Sequence, residues 1–196
     1  MLMINKELIN NINKIIKEKE RCVLAIDGRC GSGKSTLASQ LAKYFDGDVI
    51  HMDDFFLQPH QRNEERYKTH GENVDHERMM EEVFSRLEKK EEFTYYPFDC
   101  VNMEISKEGI EIHNKELIIV EGSYSLREEF RKYYDLTVFM TIPYDVQIKR
   151  IKERNPDKIN RFINEWIPLE EEYFKYYKVK DHAQLIINND EHNMKD

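Results

Sequence analysis

Cysteine, proline and glycine are all scarce in this chain of 196 residues, which has three, five and seven of them. Cys22, Cys30 and Cys100 are too few and too far apart for a disulfide framework and form no C-x-x-C pair. A disulfide-stapled scaffold and a cysteine metal centre are therefore not expected, and a reducing cytoplasm fits. No Pro/Gly/Ser-rich linker, internal repeat or low-complexity tract marks a boundary, so residues 1–196 read as a single domain with a sizeable core. No apolar run approaches the roughly twenty residues of a membrane span. The start, MLMINKELINNINKIIKEKE, shows no continuous apolar h-region and no cleavage-site pattern. Excess positive charge is missing as well. A net charge of −8 argues against nucleic acid or an anionic membrane as partner, so a small polyanion has to be held locally. His51, His76 and His182 lack metal-ligand spacing and read as structural or surface residues.

The few glycines that exist are concentrated. Gly28-Arg29-Cys30-Gly31-Ser32-Gly33-Lys34-Ser35 has two glycines with four free positions between them, then Lys and Ser. The apolar stretch before it, residues 21–27, reads as a buried strand, and residues 36–45 have helical spacing. This is the strand–loop–helix context of a phosphate cradle. Gly28, Gly31 and Gly33 allow backbone conformations that side chains would block, so successive N–H groups point at phosphate oxygens. Lys34 reaches the β and γ phosphates and the Ser35 hydroxyl holds Mg²⁺. The predicted nucleotide set is Gly28, Gly31, Ser32, Gly33, Lys34, Ser35 and Thr36, with ATP or another nucleoside triphosphate as ligand.

Elsewhere, Ile4, Leu8, Ile12, Ile15 and Ile16 share one face of a helix over 3–19 that packs on a sheet. Residues 48–52 make a second strand, ending at Asp53-Asp54. Residues 55–74 are polar and aperiodic and read as a mobile loop of the kind that carries substrate contacts. A helix over 75–90 starts at Asp75 as N-cap. The aromatic stretch 93–100 follows, and 103–106 with 109–112 suggest a hairpin outside the main sheet. Residues 116–120 and 136–142 are buried strands. A helix from Pro143 through Ile148 and Ile151 breaks at Asn155-Pro156, another covers 159–177, and 183–187 is a last strand. Alternating strands and helices imply an α/β fold: a three-layer sandwich with a mostly parallel sheet, a small hairpin lobe over 93–113 and a short lid over 150–161.

Such a loop serves switches, motors and transferases alike. A GTPase would need Asn-Lys-x-Asp, and the nearest match, Asn114-Lys115-Glu116-Leu117, ends in Leu. No LSGGQ signature is present. What the chain offers instead is acidic residues at strand ends, Asp53 and Glu121. Ligands of open α/β sheets sit at the carboxyl ends of strands, so both carboxylates face the phosphate loop. One can assist the metal and the other can activate an acceptor.

The series GRCGSGKST, HMDDFF, YYPFDC and IVEGSYS, followed by an Arg-containing helix and lid, resembles the uridine kinase and phosphoribulokinase family of P-loop small-molecule kinases, over residues 21–188. The resemblance implies ATP-dependent phosphoryl transfer to a hydroxyl of a nucleoside-like acceptor, with Mg²⁺. Asp53 matches the family's catalytic base, with a place at the metal as well, and Glu121 its metal-side carboxylate. Tyr95, Tyr96 and Asp99 lie where uridine kinases contact the nucleoside, and Arg150 and Arg154 match lid arginines that act with Lys34. There are departures. Gly71 to His76 stands where uridine kinases carry His-Pro-x-Ala-Phe-Asp, and the lid lacks a Glu-Arg-Gly-Arg run. MDDFFLQP and MTIPYD also resemble nicotinamide riboside kinases. Plainer readings stand beside these: Asp53 as a turn residue, residues 93–98 as packing, Asp99 as a turn cap, the arginines as a solvated face. A nucleotide-binding regulator that transfers nothing is the rival from another class. Oligomeric state is left open.

Overall fold

The computed structural model describes residues 5–190; Ile4 and the first positions of the expected 3–19 helix lie outside them. Five strands, β1 (Cys22–Gly28), β2 (Asp48–His51), β7 (Leu117–Glu121), β8 (Leu136–Thr141) and β9 (Leu185–Asn188), form one sheet in the order β2-β7-β1-β8-β9. Every pairing in it is parallel. β1, which leads into the phosphate loop, is buried throughout and central.

Alternation along the strands divides the core between the two faces, because successive side chains point to opposite sides. Val23 and Ala25 of β1, with Ile118 and Val120 of β7, pack on one face against Met79, Val83, Phe84 and Tyr173. Cys22, Leu24 and Ile26, with Leu117 and Ile119, pack on the other against Leu8, Ile12, Leu37 and Leu41. The helix Lys6–Lys19 supplies Leu8 and Ile12, and its first turn is capped by the Asn5 side chain, which accepts from Glu7 N–H at 2.8 Å. No described helix is long and apolar enough to cross a membrane.

Several segments differ from the sequence reading, the helix expected over 159–177 among them, since a π turn over Phe162–Trp166 interrupts it. The expected hairpin pairs differently: β3 (Phe93–Tyr95) pairs with β6 (Ile110–Ile112), and β4 (Phe98–Asp99) with β5 (Glu104–Ile105). Residues 103–106 and 109–112 are therefore not partners; Pro97 separates two nested antiparallel pairs. The helix begun at His76 widens into a π turn over Met80–Phe84 before continuing to Lys89. Residues 55–74 are not structureless. They hold a helix at Glu64–Lys68, and Arg66 ties them together through the carbonyls of Glu72 and Val74 and the Glu77 carboxylate. Arg127 binds the same segment at the Gly71 carbonyl and the Glu72 carboxylate.

Candidate active site

The phosphate loop is shaped by its glycines at two points. Gly28 has φ +133°, and a Cβ there would collide with the Met140 carbonyl of the neighbouring strand, so only glycine lets β1 turn into the loop. Gly33, φ +95°, is the N-cap of the helix Lys34–Phe45 and offers no side chain to its first turn. That first turn also holds no acidic residue. The N–H groups and the positive end of the helix dipole are left for an external anion.

Lys34 folds back over the loop, donating to the carbonyls of Gly28 at 2.7 Å and Arg29 at 3.1 Å. Its ammonium also lies 3.4 Å from Ser123 Oγ. The loop opens into a cavity of about 1540 Å³. Gly31, Gly33, Lys34, Ser35 and Thr36 line it, and Gly28 and Ser32 do not. Ser32 is fully buried, and its carbonyl accepts from Asn189 Nδ2 at 2.7 Å.

Asp53 and Glu121 line the same cavity. Asp53 sits in the 3₁₀ turn Met52–Phe55 that ends β2, and Glu121 is the last residue of the adjacent β7. The parallel register puts His51 beside Glu121, and the two share a hydrogen bond of 2.5 Å between His51 Nδ1 and Glu121 Oε1. That bond raises the His51 pKa against the opposing effect of burial. Asp53 is open to the cavity yet ringed by protein. The lost hydration raises its pKa, with Lys34 pulling the other way and Glu121, Asp54 and Glu170 adding to the rise. Asp53, Glu121 and Ser35 line one cavity, and oxygen donors of this kind suit a hard cation such as Mg²⁺.

Arg150 and Arg154 reach the cavity from the helix Tyr144–Arg154, with Lys158 and Arg161 further along the same edge. Arg150 donates to the carbonyls of Gly31 at 3.4 Å and Asn189 at 3.3 Å, tying this helix to the phosphate loop.

Tyr95, Tyr96 and Asp99 do not line the cavity. Tyr95 is fully buried, its ring stacked on Phe55 and its hydroxyl donating to Asp54 at 2.7 Å. Tyr96, just past the end of β3, is 43% exposed. Asp99 caps a turn, accepting from the N–H groups of Val101 at 2.7 Å and Asn102 at 3.2 Å, and these bonds hold its pKa below the usual carboxylate range. Phe56, Leu57, Arg62, Tyr67, Cys100 and Met103 line the cavity instead.

Sequence reasoning missed Ser123, Glu170 and Arg62. Ser123 sits two residues past Glu121 and could have been found from that spacing. Glu170 lies in an acidic run that reads as a solvated helix face.

A glycine loop on a parallel sheet, an uncapped helix behind it and carboxylates at neighbouring strand ends define a P-loop protein with the layout of a small-molecule kinase. Residues 23–189 match the model of the Phosphoribulokinase / Uridine kinase family, and the chain belongs to that family. Uridine kinase of Clostridium tetani is 31% identical, over 89% of this chain and 90% of that protein. Uridine kinase of Anoxybacillus flavithermus is 29% identical, over 89% of each. A solved structure described as a possible uridine kinase from Bacillus stearothermophilus superposes with a TM-score of 0.65 and 25% identity, covering 92% of this chain and 99% of that one. A D-glycerate 3-kinase from Cryptococcus neoformans shares the fold, with a TM-score of 0.60 at 12% identity over 94% and 95%.

Proposed function

We propose that the protein transfers the γ-phosphoryl group of ATP to a hydroxyl of a nucleoside-like small molecule, as a uridine kinase does. One observation carries the reading: Lys34, Ser35, Asp53 and Glu121 open on one continuous cavity, with room beyond Asp53 for an acceptor. The loop N–H groups and Lys34 bind the triphosphate. Ser35 and Glu121, with Asp53 nearby, would hold Mg²⁺, which supplies charge neutralisation across the phosphates. Asp53 accepts the acceptor hydroxyl proton and orients its oxygen toward the γ-phosphorus. A loose transition state asks for positioning more than base strength, so a carboxylate suffices. Arg150 and Arg154 stand where fixed positive charge meets the charge developing on the transferred group. Tyr95 and Asp99 serve the acceptor end from behind: Tyr95 by holding Asp54, Asp99 by setting the turn that presents Cys100 and Met103.

The test is ADP formation with a panel of nucleosides, nicotinamide riboside and small sugar alcohols, followed by mass spectrometry of the products. Acceptor-dependent ADP with a phosphorylated nucleoside supports the reading. Phosphorylated nicotinamide riboside alone moves the acceptor class, and ATP binding without turnover on any acceptor supports a regulator.

A further inference from the structure

One buried carboxylate in the cavity has no part in the transfer described above. Glu170, 6% exposed, belongs to the helix Ile167–Tyr176 that follows the arginine-bearing segment. Its Oε2 accepts from the backbone N–H of Cys30, inside the phosphate loop, at 3.0 Å. Its Oε1 accepts from Ser123 Oγ at 2.5 Å, and the same hydroxyl lies 3.4 Å from Lys34 Nζ. The next residue, Glu171, grips Arg29 through Nε at 2.5 Å and Nη2 at 3.1 Å. One turn on, the Tyr173 hydroxyl donates to Asp27 at 2.9 Å.

A carboxylate presents two acceptor oxygens and a negative charge, as the end of a nucleoside triphosphate does. Here a loop N–H of the kind that receives a phosphate oxygen already receives Glu170. The Ser123 hydroxyl it binds lies 3.4 Å from Lys34 Nζ, the ammonium that reaches the β and γ phosphates in the reading above, which puts the carboxylate toward the terminal-phosphate end of the loop. Two anions cannot share one N–H without strong repulsion.

We propose that Glu170 is an internal stand-in for the terminal phosphate: without nucleotide its carboxylate fills the far end of the loop, and a triphosphate binds by displacing it. The exchange is a side-chain rotation. Tyr173 and Asp27, both fully buried, keep the helix anchored while Glu170 swings. This rests on reading the loop as a nucleotide cradle and on nothing about the acceptor.

Isothermal titration of Mg·ATP and Mg·ADP, without acceptor, tests it on the wild type and on Glu170→Gln, Glu170→Ala and Ser123→Ala. If the self-bound state predominates by about ten to one, removing the competing charge tightens ATP by about tenfold. ADP, which ends short of that position, should change by less than about twofold on the same scale. Unchanged or weaker ATP binding in folded Glu170 variants overturns the proposal, as does an equal gain for ADP, which would place Glu170 elsewhere in the loop. Should thermal melts show both Glu170 variants unfolded, Ser123→Ala decides. Losing the bridging hydroxyl frees Glu170 and should tighten ATP by about threefold, and no gain there overturns the proposal too. A protein that binds ATP but phosphorylates no acceptor would defeat the kinase reading while leaving these outcomes intact.

Discussion

The Tyr95 hydroxyl donates to Asp54 Oδ2 at 2.7 Å, and of the two adjacent carboxylates it is Asp53 that lines the cavity. One member of the acidic pair is thus a structural acceptor and the other faces the cavity, where the proposed function makes it the base. Asp53→Asn keeps the shape and should lower kcat by about a hundredfold or more, within the span of general-base effects. Asp54→Asn should keep kcat within a few fold and instead destabilise the fold by about 1 kcal/mol, the scale of one hydrogen bond. Steady-state rates with a verified acceptor, paired with denaturation of both variants, check this. If Asp54→Asn is the costly change for rate, the roles are reversed.

Arg150 and Arg154 are one helical turn apart and share the cavity, but only Arg150 is tied to the loop, through the Gly31 carbonyl. Arg150→Ala should therefore weaken ATP binding and slow turnover together. Arg154→Ala should leave the ATP Kd within about twofold and lower kcat by at least about tenfold, as expected of a contact made mainly in the transition state. Measuring Kd by titration and kcat separately distinguishes the two; an unchanged kcat for Arg154→Ala places it on a solvated face.

Asp99 acts on the cavity through the turn it caps, which carries Cys100 and Met103 to the wall. Asp99→Ala should raise the acceptor KM by about threefold or more while sparing the ATP KM, because uniform binding is lost only on the acceptor side. Cys100 should also react faster with a thiol reagent once the turn loosens. Equal changes in both KM values would assign Asp99 to general stability.

How much of this was legible from sequence follows from how local each cause is. The strand–loop–helix unit was legible because glycine positions and a short apolar run fix it within some twenty residues of chain. That Asp53 and Glu121 would face one cavity was legible because strand ends converge on one edge of a parallel sheet. Tyr95 was not, since stacking on Phe55 and bonding to Asp54 join residues forty positions apart. Glu170 was hidden further: only the closed fold brings it to Cys30, 140 residues earlier. The π turn at Met80–Phe84 has no local marker among its residues.

Asp27 precedes the loop as the fully buried penultimate residue of β1 and accepts from Leu126 N–H at 2.8 Å, Gly28 N–H at 2.6 Å and the Tyr173 hydroxyl at 2.9 Å. Burial outweighs these bonds and the nearby Lys34 charge, pushing its pKa from 3.8 up to about 6. A carboxyl whose folded pKa exceeds its unfolded value holds its proton longer in the folded state. Its contribution is most favourable below about pH 4 and is lost as pH rises toward 6, after which it is flat. The shift corresponds to roughly 3 kcal/mol over that window. Other groups titrate in the same range, so the informative quantity is a difference. Asp27→Asn cannot ionise and, like the protonated acid, carries a donor, so it mimics the low-pH form. Urea denaturation of both proteins at pH 4, 5, 6 and 7 should show the wild type losing stability relative to Asp27→Asn between 4 and 6, then running parallel to it. A difference that stays flat from 4 to 7 would mean that Asp27 ionises as it does in the unfolded chain and that its three donors cancel the cost of burial.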